Sequence, residues 1–239
     1  MKKSIYLSAI ILCVLALNSY AKNKLSFTQD LSIKAGTLSN FIADVGAGSL
    51  VIHGADVSEI TVKAKIYSEK YDDIEDLKAA FSSKMVLTLE NKGKSLVLKA
   101  MTQKKWFSLS SPNISIDLDI IIPQKMNVEI DDGSGHLKIT DIDGSLQIDD
   151  GSGSIYISNI GDDIEIDDGS GNLEISDVKG DVHIDDGSGV INIDRVAGNV
   201  SIDDGSGSIK INELAGRFKL VDDGSGSVFV NGKRWVLND

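Results

Sequence analysis

The motif Asp-Asp-Gly-Ser-Gly occurs six times in this chain, beginning at Asp131, Asp149, Asp167, Asp185, Asp203 and Asp222. The first five copies are 18 residues apart, and the sixth follows the fifth by 19. A short fixed period running through half of a chain means one structural unit laid repeatedly against copies of itself. The architecture is therefore the most constrained property of this protein, and its function the least.

Apolar residues fall into fixed columns around the motif. Before it stand Val128 and Ile130, Leu146 and Ile148, Ile164 and Ile166, Val182 and Ile184, Val200 and Ile202, Phe218 and Leu220. After it stand Leu137 and Ile139, Ile155 and Ile157, Leu173 and Ile175, Ile191 and Ile193, Ile209 and Ile211, Val228 and Val230. Spacing by two with β-branched side chains is the signature of a strand with one buried face. A further apolar residue, Ile142, Ile160, Val178, Val196 or Leu214, marks a second turn that points inward. Two positions later comes Gly144, Asp162, Gly180, Gly198 or Gly216, which predicts a positive φ there, one that Asp tolerates at modest cost. Each unit thus reads as strand, acidic turn, strand, glycine turn.

Such a pattern fits either an antiparallel meander or a parallel β-solenoid with two strands per 18-residue coil. The identical columns favour the solenoid, because stacking puts like residues one above another at about 4.8 Å, whereas a meander has no need to keep both turns the same. Six coils would rise about 29 Å at that spacing. The expected fold class is all-β.

The region before the repeats is degenerate. Gly46-Ala47-Gly48-Ser49-Leu50-Val51-Ile52 echoes a Gly-Ser-Gly turn and its strand, Ala55 stands at the inward turn position, and Ile60 and Val62 would form the next strand, so residues 42–66 read as a worn first coil. Ile74, Leu77, Phe81 and Met85 recur at helical spacing, with Asp72 and Glu75 as a capping box. This helix would cover an open end or flank, as stacked repeats require. Met85 to Leu89, Ser95 to Ala100 and Ile114 to Ile122 read as strands, and Pro123 marks the bend into the first regular coil. Val221 is the extra residue of the last unit and calls for a bulge. Trp235 and the tail Asn238-Asp239 would close the far end. Residues 22–125 and 126–239 are expected to form one continuous domain.

Residues 1–21 read as a signal peptide: Lys2 and Lys3, an apolar run from Ile5 to Leu17, then Ser19-Tyr20-Ala21 before the cleavage point. The run is short of the roughly 20 residues of a membrane span. Cys13, the only cysteine, lies inside it behind Leu12, which does not suit lipoprotein processing. Cleavage after Ala21 would leave an exported protein without thiol or disulfide, in the periplasm, at the cell surface or secreted. Removing Lys2 and Lys3 from 24 basic residues leaves 22 against 36 acidic ones, a net charge of 22 − 36 = −14. Such a surface repels nucleic acid and anionic lipid, so neither is expected as a partner, and no stable membrane insertion is expected.

The leader, the worn Gly-x-Gly coil, the variable middle, Ile122-Pro123 leading into Val128-Glu129-Ile130, and the repeated Ser-Gly turns together resemble the uncharacterised bacterial "putative adhesin" family of repeat β proteins. The resemblance spans roughly Leu25 to Trp235. It implies a parallel β-solenoid at the envelope or surface and carries no catalytic residues with it. The chain departs from that family in having an Asp pair where a Ser- and Thr-rich edge is usual.

Stacked coils would line one edge with twelve carboxylates: Asp131, Asp132, Asp149, Asp150, Asp167, Asp168, Asp185, Asp186, Asp203, Asp204, Asp222 and Asp223. Like charges about 4.8 Å apart repel by about 0.9 kcal/mol in water and by several times that near an apolar surface. One relief is an Asx-turn, in which one Asp per turn accepts hydrogen bonds from the backbone N–H groups of the glycines behind it. The other is Ca²⁺ bridging successive turns. The calcium-binding nonapeptide repeat has half the present period, but there Asp follows the glycines instead of preceding them.

Ser134 and its equivalents sit in Gly-Ser-Gly and not in a hydrolase elbow, and His53, His136 and His183 occupy unrelated positions. No catalytic, cofactor-binding or metal-ligating residue is assigned. A β-helix polysaccharide lyase would need loop insertions that the six units lack. The outward column Lys138, Tyr156, Glu174, Asn192, Lys210, Phe229 is mixed, unlike a flat Thr array for ice. Lys104-Lys105-Trp106-Phe107 is a basic-aromatic spot, read as a loop closing on the core. The expectation is a monomeric, non-enzymatic exported surface protein that presents a rigid acidic solenoid to an unknown protein or glycan ligand. The alternatives are a calcium-responsive structural module and a carbohydrate-active enzyme.

Overall fold

The computed structural model describes residues 24–103 and 113–235. Residues 1–21, read above as a signal peptide, together with Lys104–Phe107 and Asn238-Asp239, lie outside the described residues. The chain before the repeats forms β1 (Leu25–Lys34), β2 (Asn40–Ala55), β3 (Glu59–Ser68), α1 (Ile74–Lys84), β4 (Met85–Lys92), β5 (Ser95–Thr102) and β6 (Ser115–Pro123), and β7 (Asn127–Ile142) carries the first motif. The repeats continue as β8 (Leu146–Asp150), β9 (Gly153–Ile160), β10 (Ile164–Asp168), β11 (Gly171–Val178), β12 (Val182–Asp186) and β13 (Gly189–Val196). Then come β14 (Val200–Asp204), β15 (Gly207–Leu214), β16 (Phe218–Asp223), β17 (Gly226–Val230) and β18 (Lys233–Arg234).

The protein is all-β with one helix among the described residues, and the repeat strands are parallel. In one ladder Ile164 pairs with Leu146 on one side and Val182 on the other. In the second, Gly171 pairs with Gly153 and Gly189. The repeat strands from β7 to β17 do not pair as hairpins: β8 lies parallel to β7 and to β10. The apolar columns fill the interior. Ile164, Ile166, Leu173, Ile175 and Val178 of a single unit are all buried, and each such side chain contributes about 1.5–3 kcal/mol.

The second turn differs from expectation. Gly144, Gly180, Gly198 and Gly216 do not adopt positive φ; that conformation falls one residue before the inward apolar side chain, at Asp141, Asn159, Asp177, Arg195 and Glu213. The glycines serve close approach instead, since a Cβ on Gly198 would overlap the carbonyl of Gly180 in the unit before. In the one unit with Asp162, Gly161 lies in that contact, against Asp143.

The order of strands in the stack is not the order of the chain. β2 lies parallel to β7 from Asn40↔Asn127 to His53↔Thr140, so it is the worn unit that the sequence echoes. On its other side the first half of β2 pairs with β5 and the second half with β6, again in parallel. β3 departs from the coil reading of residues 42–66, because it runs antiparallel to β1 and to β6. β4 closes the other ladder antiparallel to β5. Helix α1 starts one residue later than the predicted box: Asp73, not Asp72, is the cap, accepting from the N–H of Glu75 at 2.7 Å. Its buried Leu77, Ala80 and Phe81 cover this end, with Phe81 edge-on to Phe27 at 5.5 Å. At the far end the register shifts between Ile202 and Asp204, which accommodates Val221. Trp235 packs edge-on against Phe218 at 5.1 Å.

Candidate functional site: two carboxylate files and the strand faces

The carboxylates do not form one edge of twelve. Strand alternation sends successive side chains to opposite faces. With Ile130 inward, Asp131 points out and Asp132 points in. The pairs separate accordingly: Asp131, Asp149, Asp167 and Asp185 are exposed and Asp203 half-buried, while Asp132, Asp150, Asp168, Asp186 and Asp204 are no more than 3% exposed. Parallel register places each buried Asp beside the next, Asp132 by Asp150, Asp150 by Asp168, Asp168 by Asp186 and Asp186 by Asp204.

Each buried carboxylate closes an Asx-turn. The backbone N–H of Ser134, Ser152, Ser170, Ser188 and Ser206 donates to Oδ1 of the Asp two residues earlier, at 2.9–3.2 Å. The donor is thus the backbone N–H of the serine, where the sequence pointed to the glycines. The following glycine is fixed by the stack: Gly153 has φ +150°, and a Cβ there would overlap the carbonyl oxygen of Gly135. Any larger residue would push adjacent units apart.

The second oxygen is not satisfied in the same way. Oδ2 of Asp132, Asp150, Asp168 and Asp186 is buried and meets no hydrogen-bond donor of the protein. Burial, before any other cause, pushes the carboxyls of Asp132, Asp168 and Asp186 up to about 6, and raises Asp150 as well. The neighbouring buried carboxylates reinforce the rise at Asp132, Asp168 and Asp186. Below Asp132 the file ends on an apolar floor: Val45 pairs with Asp132 in register, and a cavity of about 10 Å³ opens between Val45, Leu50, Ile116, Leu118 and Asp132, the room of roughly one water. Among the described residues no three His, Cys, Asp or Glu side chains converge into a metal-holding group.

The inward Asp is the feature that reading the motif as an edge misses, and the period-2 alternation through Ile130, Asp131 and Asp132 is the signal that finds it. The histidines are not brought together. His53 lies 2.9 Å from Thr140 Oγ1 and 3.1 Å from Asp141 Oδ2 on the surface, and His136 and His183 are exposed on different strands.

At the second turn, side chains brace successive units. Asp163 Oδ1 accepts from the N–H of Asp181, Asp181 from Asn199, and Asn199 from Arg217. The Arg195 guanidinium grips Asp177 through two hydrogen bonds of 2.6 and 2.8 Å and holds that carboxyl below its ordinary value. Two shallow hollows lie on the strand faces. One, of about 450 Å³, runs along Gln147, Glu165, His183 and Ser201. The other, of about 380 Å³, surrounds Tyr156 with His136, Lys138, Ser154, Asn172 and Glu174. Lys138 Nζ sits 5.2 Å from the centre of the Tyr156 ring. No helix among the described residues is long and apolar enough to cross a membrane.

The chain is similar to three solved bacterial structures. A putative cell adhesion protein from Clostridium sporogenes is 13% identical, over 84% of this chain and 96% of that one, with a TM-score of 0.45. A putative adhesin from Bacteroides fragilis is 14% identical, over 84% and 99%, with a TM-score of 0.41. A putative lipid binding protein from Parabacteroides distasonis is 17% identical, over 84% and 96%, with a TM-score of 0.42. Two of the three are described in the same terms as the family that the sequence resembles. No family model matches the chain. No curated relative matches it.

Proposed function

We propose that this protein is an exported, non-enzymatic surface protein whose 18-residue units form the coils of a parallel β-solenoid, and that it binds an extended glycan on its strand face. The observation that carries this reading is the hollow around Tyr156. An aromatic ring lies there among His136, Lys138, Ser154, Asn172 and Glu174, on strands whose register is locked from below. A sugar presents an apolar C–H face to a ring and hydroxyls to the flanking polar groups, the combination of apolar surface and a few placed polar groups that binding sites use. A surface with a repeat of about 4.8 Å is extended and rigid, which limits the ordering cost of binding a long ligand.

The exposed Asp131, Asp149, Asp167 and Asp185 edge has a lesser place in this reading. It gathers divalent cations as a diffuse atmosphere, without a closed coordination sphere. Calcium and then chelator added to the protein should leave its melting temperature unchanged; a shift of several degrees specific to calcium would favour the structural-calcium alternative.

The test is a glycan array probed with the protein, followed by incubation of any bound glycan and analysis for cleavage. Binding without product, lost in Tyr156→Ala with the fold intact, supports the proposal. Product formation would replace it with an enzyme, and binding indifferent to Tyr156→Ala would move the site elsewhere.

A further inference from the structure

The buried file of Asp132, Asp150, Asp168 and Asp186 is used by neither the strand faces nor the exposed edge. Four carboxyl groups lie one above another, each at most 3% exposed, each with one oxygen bound to a serine N–H and the other facing no donor of the protein. Four negative charges in that position would face mutual repulsion inside an apolar core. The groups around the file offer no compensation. Asp131, Asp149, Asp167 and Asp185, next along each strand, face outward and add like charge. Asp204 continues the same column above and Val45 ends it below. Asp117 of β6 is engaged by the N–H of Ser49 at 3.0 Å, Lys99 is held by Asp44 at 2.8 Å, and His136 is exposed. No Lys, Arg or His among the described residues forms an ion pair with the four.

Two ligands could neutralise such a file, a desolvated cation or protons. A hard cation such as Ca²⁺ takes 6–8 oxygen ligands. Between successive units the file supplies one free Oδ2 from each neighbour, since Oδ1 is occupied and the carbonyls of Asp132, Asp150, Asp168 and Asp186 accept from Gly151, Gly169, Gly187 and Gly205 of the next unit. A proton needs only two oxygens, one to carry it and one to accept the hydrogen bond.

We propose that the interior Asp file is a proton-binding site, in which Oδ2–H of one carboxyl donates to the carboxyl of the adjacent unit and the protons bind the units to one another. Folding in mildly acidic solution then takes up protons from the solvent. The native stack is tightened as pH falls below neutrality and loosened as the protons leave, the opposite of ordinary acid denaturation.

The test uses the full protein and two measurements. Thermal melts at pH 8 and pH 5 should show a higher melting temperature at the lower pH, by about 5 °C or more for a protein of this size. The combined variant Asp150→Asn, Asp168→Asn, Asp186→Asn, whose amides are neutral donors and acceptors of the same shape, should melt higher than the parent at pH 8 and lose most of the difference between the two pH values. Carboxyl ¹³C titration of the unmodified protein decides the matter even if that variant does not fold: a set of Asp carboxyls titrating near 6 in the native state and absent in urea is the expected result. Native carboxyls that all titrate at ordinary values would overturn the proposal. So would Ca²⁺ added at pH 8 that raises the melting temperature as far as acid does.

Discussion

Asp150 and Asp168 stand directly beside each other in adjacent parallel strands, and both turn their carboxyl groups into the core. Their chain neighbours Asp149 and Asp167 pair in the same ladder and point to solvent. Two residues of one type and consecutive position thus have opposite surroundings.

That difference separates two otherwise equal mutations. Asp168→Asn removes a buried charge while keeping an acceptor for the N–H of Ser170, and at pH 8 it should stabilise the fold by on the order of 1–3 kcal/mol. Asp167→Asn, on the exposed side, should change stability by no more than about 0.5 kcal/mol. Urea denaturation of both variants at pH 8 checks the pair. At pH 4 the advantage of Asp168→Asn should vanish, because the parent carboxyl is by then protonated.

The pH dependence of the parent follows from two opposed groups of carboxyls. Asp132, Asp168 and Asp186 are raised to about 6 by burial, so their contribution is fully present below the ordinary carboxylate range and is lost as pH rises through 6. Asp177 and Asp181 are lowered, by the Arg195 guanidinium and by the N–H of Asn199, so theirs is present above that range and is lost as pH falls below it. Stability should therefore peak between about pH 4 and 6. Denaturant midpoints at half-unit intervals from pH 3 to 8 give the profile directly.

The glycines of the motif make a sharper steric prediction. Gly153→Ala places a Cβ on the carbonyl oxygen of Gly135 at φ +150°, and should cost more than about 3 kcal/mol or prevent folding. Gly36→Ala also sits at positive φ, +53°, but in open space. It should cost only about 1 kcal/mol. Denaturant titration of the two variants separates crowding from backbone strain.

Arg195 occupies a left-handed position, φ +57°, where the equivalent residues Asp141, Asn159 and Asp177 are Asx types. Arg195→Asn relieves the backbone and keeps a donor for Asp177, as Asn159 donates to Asp141 at 2.6 Å. It should be neutral or stabilising by up to about 1 kcal/mol, because the exposed ion pair it removes is worth no more than that. Arg195→Val should be destabilising by more than about 1 kcal/mol. Equilibrium unfolding measures both.

How much of this was readable in the residues depends on whether a feature repeats. The columns from Val128 to Val230 announce strands because every unit restates the same spacing. The worn unit in β2 was legible through Gly46-Ala47-Gly48-Ser49, which keeps the turn that fixes its pairing with β7. Long-range pairings that occur only once were not legible. That β5 and β6 pack on the far side of β2, and that β3 runs against them, depends on long-range pairing with no local signal. Gly198 illustrates a different difficulty: a glycine is required both by positive φ and by close approach of backbone, and only the neighbouring unit decides which. At the candidate site, the inward turn of Asp132 was implicit in the alternation from Ile130, but grouping the two aspartates as one acidic motif concealed it.

The parallel register of equivalent residues is tested most directly by engineered cross-links. Glu165 pairs with His183 in the adjacent strand. At such a separation, a disulfide between Glu165→Cys and His183→Cys fits the usual Cα distance of about 4.4–6.8 Å. Parallel stacking predicts rapid oxidation of that pair in the folded protein and no cross-link between Glu165→Cys and Glu174→Cys, its partner in a hairpin. Efficient cross-linking of the Glu165→Cys, Glu174→Cys pair with none for Glu165→Cys, His183→Cys would contradict the stack, and with it the buried carboxyl file.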